Sequence, residues 1–114
     1  MTDEIVLHHG TTMVRRLRLA PGEAMPWHRD PFQRVAVILT GDLLSIEYRD
    51  GGENLRIDIT PGVVEWEEAS ARVHRAVNVG KQFYEQVTIF LLDQTLLRSR
   101  LKSSVTKIGF RLSH

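Results

Sequence analysis

The chain has 114 residues, 42% hydrophobic and 25% charged, the proportions of one soluble globular domain with a single core. Its net charge of +1 gives no global electrostatic reason to bind nucleic acid or a membrane, and the lack of cysteine excludes disulfides, zinc-cysteinate centres and thiol catalysis. Charge is unevenly placed: residues 93–114 carry five Lys/Arg against Asp93, a net of +4, and the first 92 carry ten against thirteen Asp/Glu, a net of −3.

That basic stretch reads as a C-terminal extension making a terminal strand or a subunit contact, since no nucleic-acid-reading motif accompanies it. At the N-terminus, acids stand where a signal peptide needs bases. No segment approaches the ~20 apolar residues that span a bilayer. The expectation is a cytoplasmic protein with neither nucleic acid nor membrane as partner.

Residues 4–9 predict a short opening strand, with His8-His9-Gly10 as the turn that follows. In residues 13–20, Met13, Leu17 and Leu19 share one face and Arg16 and Arg18 the other, the alternation of a half-buried strand. Arg15 interrupts the apolar face, and Pro21-Gly22 ends the strand. After Trp27 come His28 and Asp30, two apart and so on one face if the chain is extended. Arg34 follows, then the apolar run to Thr40 and a turn at Gly41-Asp42.

Residues 43–49 predict the next strand, and Asp50-Gly51-Gly52-Glu53 supplies the positive-φ residues of a hairpin. Leu55, Ile57 and Ile59 alternate with Arg56, Asp58 and Thr60. Pro61-Gly62 turns into a strand at 63–66, a polar link at 67–71, a strand at 72–79 carrying His74, and the long apolar run 83–92. About eight short strands with frequent turn signals predict an all-β sandwich or barrel in a single domain. Residues 94–102 have mixed helix and strand character.

Two histidines and a carboxylate from two strands, His28, Asp30 and His74, are a ligand set for a divalent ion in a barrel mouth. The histidines are also the candidates for proton transfer, by their intrinsic pKa. Arg34 admits several readings. On an unbroken strand it stands about 13 Å from Asp30, so contact needs the chain to fold back at Pro31. It can neutralise Asp30, repel a cation, or hold a carboxylate or phosphate of a small anionic ligand with its fork. Trp27 and Trp66 are candidate pocket walls, with an ordinary core or interface role as the alternative. Glu65, Glu67 and Glu68 read as a solvated edge.

Together these segments resemble the cupin superfamily, the small jelly-roll barrels or double-stranded β-helices. Gly22, His28, Asp30, Arg34 and Gly41 reproduce every interval of the first cupin motif, G-x5-H-x-H-x3-E-x6-G. His74-x3-Asn78 matches the end of the second, with Ala69 and Ala71 at its proline and glycine positions. The resemblance covers roughly residues 12–92. It implies a cupin-type barrel, commonly with metal held by two first-motif histidines, the glutamate and the second-motif histidine. Here His28 and His74 match, Asp30 replaces the second histidine, and Arg34 replaces the glutamate.

The H-x-D…H pattern also resembles the 2-oxoglutarate oxygenases, but no late-strand anchor for the cosubstrate is visible. The expected function is small-molecule binding in the barrel, with a weakened or absent metal site. The alternatives are a metal-dependent oxygenase or isomerase using Fe, Mn, Ni or Zn, and a non-catalytic structural or sensor barrel. A homodimer is expected from the resemblance and from the need to cover strand edges.

Overall fold

A computed structural model describes residues 1–95, which form nine β-strands and no helix. They are β1 (Thr2–His9), β2 (Thr12–Leu19), β3 (His28–Asp30), β4 (Phe32–Thr40), β5 (Leu43–Tyr48), β6 (Leu55–Asp58), β7 (Val64–Glu67), β8 (Ser70–Asn78) and β9 (Tyr84–Thr95). Two antiparallel sheets face each other, one ordered β1-β2-β9-β4-β7 and the other β3-β8-β5-β6. Inward side chains of both, Leu17, Leu19, Ile38, Leu44, Ile46, Ala76 and Tyr84, make the core between the sheets.

The decisive local event is at Pro31. Proline has no N–H to give to a ladder and a fixed φ, and here it separates β3 from β4. The chain leaves the four-stranded sheet at Asp30 and enters the five-stranded sheet at Phe32. Upstream, the Pro21-Gly22 turn lays residues 22–25 along β8: Gly22 N–H donates to the Asn78 carbonyl at 2.8 Å and Met25 N–H to the Ala76 carbonyl at 2.9 Å. That alignment carries His28 to its place opposite His74. Gly41 closes the far end of β4 at φ +135°, where a Cβ would stand 2.7 Å from Tyr84 Cδ1.

Several boundaries differ from the sequence expectation. His8 and His9 belong to β1, paired with Met13 and Thr12, and the turn falls on Gly10-Thr11. Arg15 does face inward on β2, where its Nε donates to Asp3 Oδ1 at 3.0 Å. Residues 70 and 71 are strand, because Ser70 pairs with Asp30. β9 runs to Thr95, which pairs with Phe32. Glu65 and Glu67 are not a solvated edge: β7 pairs with β4 and turns both inward. The mixed segment after Thr95 and most of the basic extension lie outside the described residues. Among those described, no helix is long and apolar enough to cross a membrane.

Candidate functional site

The crossing at Pro31 brings together side chains that an unbroken strand would hold apart. β3 presents His28 and Asp30, β8 presents His74, β4 presents Arg34 and β7 presents Glu67. Asp30 Oδ2 is the common point. His74 Nε2 lies 2.7 Å from it, Arg34 Nη2 3.2 Å and His28 Nε2 3.5 Å. The ligand atoms of His28, Asp30 and His74 all fall within 4.8 Å of one another. The 13 Å separation of Asp30 and Arg34 along an ideal strand is therefore replaced by contact.

Each imidazole is oriented by its other nitrogen. Nδ1–H of His28 donates to the Pro26 carbonyl and Nδ1–H of His74 to the Arg72 carbonyl, each at 2.8 Å. A carbonyl can only accept, so these bonds place the ring proton on Nδ1. Both Nε2 atoms then turn toward the same carboxylate oxygen. Lone pairs facing a carboxylate are satisfied only by a cation between them, either a proton on a ring or a metal ion. Imidazoles fixed by backbone carbonyls at their outer nitrogens are also the usual support of metal-ligating histidines. The donor set, two imidazoles and a carboxylate, thus fits a divalent ion.

The electrostatics agree with the geometry. Burial pushes the Asp30 carboxyl up, but hydrogen bonds from His28 and His74 and the Arg34 charge outweigh it and hold the group well below the usual carboxylate range. The hydrogen bond to Asp30 raises His28, against burial and Arg34, which lower it.

Arg34 is 5% exposed, and both of its terminal nitrogens are engaged. Its Nη2 also meets Glu67 Oε2 at 2.7 Å, and its Nη1 donates to the Glu68 carbonyl at 3.2 Å and the Phe32 carbonyl at 3.4 Å. An incoming anion would compete with Glu67 and Asp30 for the guanidinium. Glu67 is the site residue that sequence reasoning missed. Its signal was the alternation Val64-Glu65-Trp66-Glu67, which places both acids on one face once β7 pairs with β4.

The site opens on a cavity of about 390 Å³ between the sheets. Leu44, Ile46, Ile57 and Ala76 line it from one sheet, and Glu65, Glu67, Gln86 and Thr88 from the other. Neither Trp27 nor Trp66 is among its lining residues. Trp27 is 37% exposed, with the Arg75 guanidinium 4.3 Å from its ring centre, and Trp66 alternates with Glu65 and Glu67 and so faces away. Both expectations of a pocket wall fail on strand parity and position. Asn78, the last residue of the second motif, is structural: its Nδ2 donates to the Leu19 and Gln82 carbonyls, each at 2.9 Å.

No protein-family model matches the sequence, and no curated protein matches it. Solved structures do. A cupin domain from Bordetella pertussis Tohama I aligns with a TM-score of 0.69 at 22% identity, over 79% of this chain and 91% of that one. An uncharacterized double-stranded β-helix protein from Klebsiella pneumoniae gives 0.62 at 19%, over 79% and 75%. A cupin superfamily protein from Desulfitobacterium hafniense gives 0.59 at 18%, over 81% and 77%. At these identities the likeness carries the fold, a small cupin-type double-stranded β-helix.

Proposed function

We propose that this cupin-fold chain binds a small molecule in its barrel cavity beside a three-ligand divalent-metal centre of His28, Asp30 and His74, weakened by Arg34. One observation supports the reading above others: two carbonyl-anchored imidazoles converge on a single Asp30 oxygen at the wall of a cavity of about 390 Å³. A bound ion would supply Lewis acidity, or oxygen chemistry if it is iron. The protein's own groups orient and move protons. His74, at 7% side-chain exposure, is pinned between the Arg72 carbonyl and Asp30. With no ion bound, His28, at 27%, is the group whose Nε2 exchanges a proton with a ligand.

Arg34 sets the affinity. A fixed guanidinium on the carboxylate oxygen shared by both histidines competes with a divalent ion for the same lone pairs. That contact also favours a second reading, a barrel that binds its ligand with neither metal nor turnover. Calorimetric titration with Zn²⁺ and Mn²⁺ separates the two. The metal reading expects 1:1 binding that His74→Ala abolishes. Ligand binding unchanged by chelation, with no metal uptake, would establish the second.

A further inference from the structure

If the cavity holds a small molecule, as proposed above, its polar lining fixes the charge and direction of that molecule. Three arginines line the cavity. Arg34 has both terminal nitrogens on Asp30, Glu67 and two carbonyls. Arg29 is exposed, alternates on β3 with the inward His28 and Asp30, and rests its Nε on the Ala71 carbonyl at 3.0 Å. Arg15 is different. It faces inward from β2 and is held through Nε alone, at 3.0 Å from Asp3 Oδ1. Among the described residues, neither of its terminal nitrogens meets an acceptor. One N–H thus aims the side chain, and the outer edge of the guanidinium keeps two parallel donors for a ligand.

Thr88 of β9 is the cross-strand partner of Arg15, so their Cβ atoms stand about 5 Å apart on the inward face. Thr88 is buried, and it also lines the cavity. It ends a polar chain along β9: the Tyr84 hydroxyl donates to Gln86 Oε1, and Gln86 Nε2 donates to Thr88 Oγ1 at 2.7 Å. The Thr88 oxygen is therefore an acceptor already, and its own proton meets no acceptor among the described residues. A buried hydroxyl proton without a partner is costly, and a ligand oxygen placed here supplies one.

The acids of the lining set the direction. Asp30 and Glu67 are bound to Arg34 and Asp3 to Arg15, and Asp58 is exposed on the facing sheet. Glu65 closes the far end of the Arg15–Thr88–Ala36 row, two strands and about 10 Å from Thr88, where it repels an anion. The next inward row is apolar from Met13 to Phe90 and leads to Arg34, about 12 Å from Arg15 between Cα atoms.

We infer that the cavity takes a small monocarboxylate with a compact apolar body. Its carboxylate lies on the Arg15 fork and the Thr88 hydroxyl, its body lies along Met13 and Phe90, and its far end reaches the Asp30 cluster. A bidentate charge-assisted contact of this kind discriminates by sign and by shape. The anion site that the sequence attaches to Arg34 moves to Arg15.

The test uses chelated protein, so that no ion holds the carboxylate. Three probes of one shape, cyclohexanecarboxylate, cyclohexanecarboxamide and cyclohexylmethylamine, are titrated by calorimetry and ligand-observed NMR. The carboxylate should bind saturably and at least about tenfold more tightly than the carboxamide, with the amine weakest. Arg15→Met, similar in length and without charge, should bring carboxylate and carboxamide to within about threefold. Thr88→Val, nearly equal in shape, should weaken the carboxylate by about tenfold. Equal or tighter binding of the amine, or a carboxylate preference untouched by Arg15→Met, would overturn the inference and leave the cavity reading standing. Failure of all three probes to bind would count against both.

Discussion

Arg34 is the residue whose removal the site tolerates least. It is buried, and it stands between Asp30 at 3.2 Å and Glu67 at 2.7 Å. Arg34→Met would leave two carboxylates facing each other without a cation, and breaking a buried pair in this way costs about 3–5 kcal/mol. Urea denaturation should read that loss, and Zn²⁺ should recover part of it because the ion takes the vacated charge. A loss below ~1 kcal/mol would mean that solvent, rather than the fold, balances these acids.

The same cluster gives the metal-free protein a two-sided pH dependence. Asp30 is held below its ordinary range, so its contribution is present above about pH 4 and is lost as the pH falls through the folded value. His28 is held above its ordinary range, so its contribution is full below about pH 6.5 and is lost as the pH rises through the folded value. Thermal unfolding of chelated protein should show stability declining above neutrality, and His28→Ala should flatten that limb. Parallel profiles for the two proteins would contradict the assignment.

His28, Asp30 and His74 were legible in the sequence because motif intervals survive in one dimension. Glu67 was not, because it reaches the site through a strand pairing that no local pattern announces. Trp27 and Trp66 misled for a related reason. Aromatic size suggests a wall, but only the parity of β7 and the position of Trp27 before β3 decide which side they face.

At the scale of elements, the barrel depends on a crossing between sheets at Pro31 and a turn at Gly41, both written plainly. Alternation and turn residues mark nearly all the strands, but they set Asp30 and Arg34 about 13 Å apart only if residues 28–34 run as one strand. Proline breaks that continuity and hands Asp30 and Arg34 to different sheets, which is why a 13 Å estimate became a contact. Gly41 makes the opposite kind of demand. Its φ of +135° and the 2.7 Å approach of Tyr84 Cδ1 leave no room for a side chain. Gly41→Ala should cost about 3 kcal/mol from combined strain and overpacking, with the urea m-value unchanged. Wild-type stability in Gly41→Ala would show that the turn relaxes freely.

For the whole molecule, the outward face of the five-stranded sheet carries an apolar row that crosses all five strands: Leu7, Val14, Ile89, Val35 and Trp66. Val87, Val37 and Val64 form part of the next row. Contiguous apolar patches of this kind mark interaction surfaces, and two such sheets can pack face to face at about −30°. We expect a homodimer through this face. Sedimentation equilibrium should give twice the chain mass, and Ile89→Arg should give monomer without loss of fold. A monomer at high concentration in the wild type would defeat it.

Elemental analysis of untagged protein purified without chelator, beside His74→Ala, tests the metal centre most directly. The wild type should carry Fe, Mn, Ni or Zn, approaching one per chain after incubation with the ion, and the variant none. Equal metal in both proteins, or none in the wild type even after incubation, would contradict a centre held by His28, Asp30 and His74.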